Sequence, residues 1–189
     1  MAILGLASPP AYSPHAQIAT RADSSKPPVV VLDEDRTEIY QRAVLEIAQQ
    51  HGGRINVVGV SLEIKPDDPM NFLSVELPTL IPRLRPHVDP ETIASWIADS
   101  GTPHNLSRVF QNMGYGSIVP PDSCDDACFN GEATPKVSVT GIGLNATRTK
   151  ALIWAQYYCG SLCGNSIYII LAKREGAWRT ETMYAYAEY

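Results

Sequence analysis

Four cysteines are the residues of this sequence best suited to chemistry. They form two pairs with the same spacing, Cys124 with Cys128 and Cys159 with Cys163. Four cysteines allow three pairings, and closeness in the chain favours the two local ones. At the ends of a three-residue hairpin loop, Cys159 and Cys163 would face each other within disulfide reach. We therefore predict two structural disulfides.

Zinc binding, redox catalysis and free buried thiols are the alternatives for these cysteines. Four thiolates can hold zinc tetrahedrally, but zinc turns more often place two residues between their ligands, and the loop around Cys124 is acidic. A catalytic dithiol usually lies at a helix N-terminus, where the dipole lowers the thiol pKa, and neither pair precedes a helical pattern. We predict neither a metal nor a cofactor.

No catalytic residue is predicted. His104 with Asp99 or Ser107 could form a hydrolytic set, but the chain contains neither a Gly-x-Ser-x-Gly nor a His-Glu-x-x-His pattern. A solvated surface histidine is the favoured interpretation. Several aromatic residues could instead line a ligand groove on one sheet face, although core and edge packing would explain them as well. These groove candidates are Trp154, Tyr158, Tyr168, Trp178 and Tyr184.

Two helices are predicted to precede the strands that carry these residues. The first covers residues 35–51, where apolar residues recur on one face before Gly52 and Gly53. The second begins at Pro90 with Asp89 as its cap and ends at Gly101. Between them, residues 55–64 read as a strand, and the proline-rich residues 66–90 as an irregular crossing with a helical turn near 77–84.

The last third of the chain predicts four strands joined by short turns, and apolar and polar residues alternate along them. The first strand contains a bulge at Gly141, where the phase of the apolar positions shifts. The strands cover residues 136–144, 149–159, 166–173 and 177–186. We predict an α+β fold in which the N-terminal helices pack on one face of a four-stranded antiparallel meander. A nuclear-transport-factor-like or cystatin-like cone is the alternative.

Composition limits the class of protein. The chain has 189 residues, 44% hydrophobic and 19% charged, which suits one globular domain over residues 29–189. Residues 1–28, rich in Pro, Ser and Ala, are predicted to be a flexible leader or the remnant of a signal segment. A formal net charge of −5 argues against nucleic acid as a partner. No apolar run approaches the roughly 20 residues that cross a bilayer, so no membrane insertion is predicted.

The C-terminal strands resemble those of a family of uncharacterised, mostly exported bacterial proteins. In that family a strand ending in Gly-x-x-Asn leads to a Thr-x-Ala-Leu strand, a Cys-Gly-x-x-Cys-Gly turn, an aliphatic strand and Gly-x-Trp. The matching residues here are Gly143, Asn145, Thr149, Ala151, Leu152, Cys159, Gly160, Cys163, Gly164, Gly176 and Trp178. Ser95-Trp96 departs from the family pattern, which has Asp-Phe near that helix. The resemblance implies a fold and an envelope location, and it brings no catalytic residue.

These observations lead to an expected function class. We expect a soluble, exported or periplasmic, non-catalytic module that binds a protein or small-molecule partner or serves the cell envelope; a cytoplasmic location is the alternative. A ligand-binding or enzymatic pocket between helices and sheet is the second interpretation, and a thiol redox protein is the third.

Thiol titration tests the cysteine prediction. Protein recovered from its native compartment, denatured without reductant and treated with a thiol reagent, should show no free thiol because both pairs are oxidised. Four free thiols would contradict both disulfides, and reduction before denaturation supplies the control that all four cysteines can react.

Overall fold

The computed structural model describes residues 31–65, 68, 71–120, 134–160 and 163–188. Within them the chain is α+β, as predicted, with three helices and seven strands. The helices are α1 (Asp33–Gln50), α2 (Phe72–Leu84) and α3 (Pro90–Ser100). The strands are β1 (Asn56–Val58), β2 (Ile118–Val119), β3 (Lys136–Val139), β4 (Gly143–Leu144), β5 (Lys150–Gly160), β6 (Cys163–Arg174) and β7 (Ala177–Glu188). The predicted leader, Cys124 and Cys128 lie outside the described residues.

The sheet is mixed, so the prediction of a four-stranded antiparallel meander was wrong in extent. Its order is β2-β1-β3-β5-β6-β7. Strand β4 also pairs with β5, nearer the start of that strand than β3 does. Strands β3 to β7 pair antiparallel, as predicted, but β1 pairs parallel with both β2 and β3. Parallel strands are joined by long crossover connections, so no hairpin turn in the sequence indicates their pairing. Of the strand predicted over residues 55–64, only β1 (Asn56–Val58) pairs with neighbouring strands in a ladder.

The helices cover both faces of the sheet, which corrects the prediction that they lie on one. Alternate residues of β5 belong to two separate apolar clusters: Ala151, Ile153 and Ala155 pack with α1, whereas Leu152 and Trp154 pack with α2 and α3. Successive side chains of a strand point to opposite faces, so α1 lies on one side and the other two helices on the other. The prediction that both faces of this strand are covered is confirmed.

The helix ends follow the predicted signals. Asp89 caps α3 by accepting a hydrogen bond from the Thr92 N–H at 2.8 Å, and Pro90 occupies the first position. After α1, Gly52 and Gly53 adopt φ of 91° and 85°, the left-handed region that ends helices, and the Gly53 N–H bonds back to the Ala48 carbonyl.

Helix α2 is longer than the single turn predicted near 77–84. Its two internal prolines, Pro78 and Pro82, are both exposed, so water can bond the backbone carbonyls that they leave without partners. Leu77, Leu80 and Leu84 are buried in the cluster formed with α3 and the sheet. Tertiary packing therefore outweighs the local helix-breaking tendency of the prolines.

An interruption between β3 and β4 ties the two helix layers together. At the position of the predicted bulge, residues 140–142 leave the regular ladder, and Thr140 Oγ1 accepts hydrogen bonds from the Trp154 N–H at 3.2 Å and the Trp96 indole at 2.8 Å. On the α1 side, the Tyr40 hydroxyl donates to the Thr140 carbonyl at 2.9 Å. The buried polar groups of this segment are thus satisfied from α1 and α3 at once.

Strand β7 forms one edge of the described sheet. It pairs with β6 over its whole length, and its register shifts twice, opposite Ser166/Ile167 and opposite Ile170/Leu171. Near its start the Trp178 N–H donates to the Glu38 carboxylate at 2.8 Å. The Glu38 side chain of α1 therefore satisfies one backbone N–H of β7 that does not bond to β6.

The interruption between β3 and β4 packs so closely on α3 that residue 141 has no room for a side chain. A Cβ at this position would lie 2.6 Å from the Asp99 carbonyl carbon and from the Ser100 nitrogen, both backbone atoms that cannot swing away. We expect Gly141→Ala to lower the free energy of unfolding by about 2 kcal/mol through overpacking, as measured by urea denaturation. Gly114→Ala is the matched control, since a Cβ there meets nothing within 4 Å. Equal stability of the two variants would contradict the close packing of α3 on residue 141.

Candidate functional site

The second cysteine pair forms a disulfide at the end of the β5–β6 hairpin. Cys159 and Cys163 form a disulfide with their Cα atoms 5.1 Å apart. In the β5–β6 ladder, Gly160 lies opposite Cys163 after a register shift between Tyr158 and Gly160. Cys159 is half-buried against the α1 side of the core, whereas Cys163 is exposed. The pair lies between two strands and not at a helix N-terminus, so no helix dipole acts on it. The bond fixes a turn.

The five predicted groove aromatics do not share one surface. Trp154 and Tyr168 are 1% exposed in the α2–α3 cluster, with Tyr184 packed against them, whereas Trp178 is 2% exposed in the α1 cluster. Tyr158, 39% exposed, lies near the disulfide end of the hairpin. A single groove lined by all five is therefore absent from the described structure, because strand alternation and helices on both sides divide them between two cores.

Asp99 and His104, which the sequence allowed as part of a hydrolytic set, do meet. His104 Nε2 lies 3.0 Å from the Asp99 carbonyl and 3.2 Å from its carboxylate. Both oxygens can only accept, so the neutral imidazole must carry its proton on Nε2. Arg36 from α1 binds the same carboxylate through two hydrogen bonds of 2.9 and 3.0 Å, and the Ile142 N–H adds a third at 2.7 Å.

The electrostatics of this cluster hold Asp99 ionised. Burial alone would raise its pKa, but hydrogen bonds from His104, Arg36 and the Ile142 N–H together hold the pKa well below its usual range. Ser107 is exposed and makes no hydrogen bond to His104 in the described structure; its N–H bonds to Asn105. The cluster thus joins α1, α3 and the interrupted strand, and it assembles no nucleophile with the histidine.

A second ionic cluster, which sequence reasoning missed, surrounds Asp35. This buried carboxylate accepts hydrogen bonds from Lys173 and Arg148 at 2.7 Å and from the Trp178 indole at 2.9 Å. Burial would raise the pKa of Asp35, and these donors lower it overall. The partners are 113 to 143 residues away in the chain, so no local pattern could have revealed them. They fasten the first turn of α1 to the ends of two hairpins.

The other described histidines lie apart from both clusters. His51 stacks on Tyr157 with ring centroids 3.9 Å apart, and burial lowers its pKa. His87 Nδ1 is 2.8 Å from the Tyr184 hydroxyl on the opposite face of the sheet. His51 and His87 therefore each contact a tyrosine on opposite faces of the sheet.

A cavity of about 380 Å³ opens beside α1, and Trp178 is the one predicted groove residue among those that line it. It is lined by α1, by residues 112–115 and by the start of β7. The α1 residues are Glu38, Gln41, Arg42 and Leu45; the others are Asn112, Met113, Gly114, Tyr115, Ala177, Trp178 and Arg179. Its size falls in the lower part of the range of small-molecule sites, roughly 300–1,000 Å³. It combines apolar walls with several polar groups.

Three of these polar groups lack strong partners among the described residues. Arg42 Nε is buried without a hydrogen bond, and the terminal nitrogen of the same side chain is 3.5 Å from Glu46. The Tyr115 hydroxyl is 3.5 Å from the Gln41 carbonyl, the outer limit of a hydrogen bond, and burial raises its pKa. Arg179 is exposed. These groups could bind a small polar molecule.

The described residues contain no group of three or more His, Cys, Asp or Glu side chains placed to hold a metal ion. None of the helices in these residues has the length and apolar character needed to cross a membrane.

No protein-family model matches this chain, and comparison with curated proteins and with solved structures found no match either. The resemblance to an exported bacterial family, and the likeness to a nuclear-transport-factor-like or cystatin-like cone, therefore stay predictions.

The Asp99 cluster predicts acid-sensitive stability. The folded-state pKa of Asp99 lies below its unfolded value, so its contribution is present at neutral pH and is lost as the pH falls below about 4. Asp99→Asn should lower the free energy of unfolding by about 2 kcal/mol at pH 7, because Arg36 loses its ionised partner. The difference from the parent should be smaller at pH 3, as measured by urea denaturation at both pH values.

The control for this prediction is Asp33→Asn, an exposed carboxylate in the first turn of α1, for which a change under about 0.5 kcal/mol is expected. A difference between Asp99→Asn and the parent that is the same at pH 3 and pH 7 would contradict the role given to the ionised carboxylate.

Proposed function

We propose that this protein is an exported, non-catalytic binding or envelope-accessory module that holds a small molecule in the cavity beside α1. The observation that carries the proposal is the cavity itself, where buried or half-buried polar groups of Arg42 and Tyr115 are left with weak partners or none. Native proteins seldom leave buried polar groups unsatisfied, and a ligand is one way to satisfy them.

The absence of catalysis is supported by how the other reactive groups are used. Asp99 is bonded to Arg36, His104 and a backbone N–H, and Asp35 to Lys173 and Arg148, so both carboxylates act within the fold. A catalytic site usually combines a nucleophile, a base and a group that orients the base, in hydrogen-bond reach of one another. The described residues offer no such set.

A pocket in the middle of the contact between the helices and the sheet has less support. Apolar side chains from α1 fill one face, and those from α2 and α3 fill the other. The proposed cavity lies at the margin of the α1 layer, where α1 meets the loop before β2 and the start of the edge strand β7. A thiol redox function has less support for a different reason, since the disulfide closes a hairpin.

Export is proposed on the disulfide and on the sequence resemblance. Disulfides persist in oxidising compartments and are rare in the cytosol, so the Cys159–Cys163 pair favours an extracytoplasmic location. The family resemblance of the C-terminal strands points the same way.

Amide NMR spectra of the full chain test the binding site. We expect titration with phenol, benzamide, phenylacetate and phenyl phosphate to shift the amide signals of Gln41, Gly114 and Arg179, at least for some of these probes. Asn112→Trp should abolish the shifts by filling the cavity, whereas Gln111→Trp, at an exposed neighbour that does not line it, should retain them. Shifts confined to other surfaces, or no shifts at all, would contradict the proposed site.

A further inference from the structure

We infer that the ligand of this cavity is a small molecule with an apolar body and a carboxylate or phosphate group, held by Arg42 and Arg179. This inference rests on the proposed function, since it concerns the ligand of the same site.

The cavity wall contains ionisable side chains of both signs. Its ionisable lining groups are Glu38, Arg42 and Arg179, apart from Tyr115, which is neutral at pH 7. These lining groups sum to +1, in a chain whose formal net charge is −5. Glu46 does not line the cavity but lies 3.5 Å from the Arg42 guanidinium, and counting it brings the local sum to zero. Glu46 is thus paired with Arg42, and Glu38 accepts the Trp178 N–H at 2.8 Å. The guanidinium donors that line the cavity therefore favour an anionic guest over a cationic one.

Both arginines keep hydrogen-bond donors without partners among the described residues. Arg42 Nε is buried without a partner, and Glu46 approaches a different nitrogen of the same guanidinium at 3.5 Å, longer than a strong charge-assisted bond. Arg179 makes no ion pair or side-chain hydrogen bond with the described residues, in contrast to Arg36 and Arg148, which bind Asp99 and Asp35. A guanidinium presents a planar fork of donors that fits the oxygens of a carboxylate or phosphate.

The cavity wall also has an apolar part. Leu45, Met113 and the rings of Tyr115 and Trp178 line the same cavity, and Met113 and Tyr115 also pack against the core. An inorganic anion would leave this apolar surface unused, whereas an organic body would bury it. The Tyr115 hydroxyl, with its long bond to the Gln41 carbonyl, supplies a further donor close to that body.

A pair of isosteric probes tests the inference by amide NMR titration of the full chain. Phenylacetate, and phenyl phosphate as the second oxyanion, should bind at Gln41, Gly114 and Arg179 at least about tenfold more tightly than the neutral phenylacetamide, since a charge-assisted hydrogen bond is lost with the charge. The relative affinities of phenylacetate and phenyl phosphate then distinguish a carboxylate ligand from a phosphate ligand. Inorganic phosphate alone should bind more weakly than phenyl phosphate.

Arginine variants locate the interaction. Arg42→Gln and Arg179→Gln should each weaken phenylacetate binding about tenfold and leave phenylacetamide binding unchanged. Arg85→Gln, at an exposed arginine after α2 on the other side of the sheet, should change neither. Unfolding curves of the variants identify any loss that comes from destabilisation.

The outcomes separate this inference from the proposed function. Equal binding of phenylacetate and phenylacetamide in the cavity would overturn the inference and leave the proposed binding site standing. Unchanged phenylacetate binding in both arginine variants would overturn it as well. Failure of every probe to shift the cavity amides would overturn the inference together with the proposed function.

Discussion

The hydrogen bonds of Thr140 are the constraint on which the arrangement of the layers depends. A break in a buried strand leaves backbone groups without ladder partners, and such groups are costly unless other donors and acceptors reach them. Here the Thr140 side chain takes over a ladder bond to Trp154, and Tyr40 and Trp96 approach from opposite sides of the sheet. The break therefore fixes the positions of α1 and α3 relative to one another, and the Arg36–Asp99 pair closes beside it.

The buried charges follow the same logic and separate structural residues from available ones. Asp99 and Asp35 are each surrounded by donors from distant parts of the chain, and in such networks every member depends on the others. A charged group with so many partners has little capacity left for a ligand. The cavity beside α1 differs because Arg42 keeps an unpartnered buried nitrogen and Arg179 faces solvent. Arg42 and Arg179 are therefore the cations with donors still open to a ligand, whereas Arg36 and Arg148 are bound within the fold.

Local patterns in the sequence predicted the local features of the fold. The cap at Asp89, the alternation along β5 and the hairpin that carries Cys159 and Cys163 each depend on neighbouring residues, and each appears in the structure. Where a bulge was predicted near Gly141, the strand breaks between β3 and β4. The parallel pairing of β1, the helices on both faces and the length of α2 depend on partners far along the chain. The position of the cavity and its lining residues other than Trp178 also escaped prediction, because its wall joins segments more than 60 residues apart in the sequence, from Gln41 to Asn112 and on to Arg179. Neither hydrophobic periodicity nor a local motif predicts that these three segments lie together.

The edge formed by β7 bears on the behaviour of the protein at high concentration. A long, flat strand edge offers its unpaired backbone groups to any other extended chain, which is a common route to fibrils. Two register shifts distort the row of backbone groups along β7, and the Trp178 N–H donates a hydrogen bond to the Glu38 carboxylate. Bulges and covering side chains are devices by which native sheets resist edge-to-edge growth. The contact between α1 and the start of β7 thus also removes one of the unpaired donors through which this edge could pair with another chain.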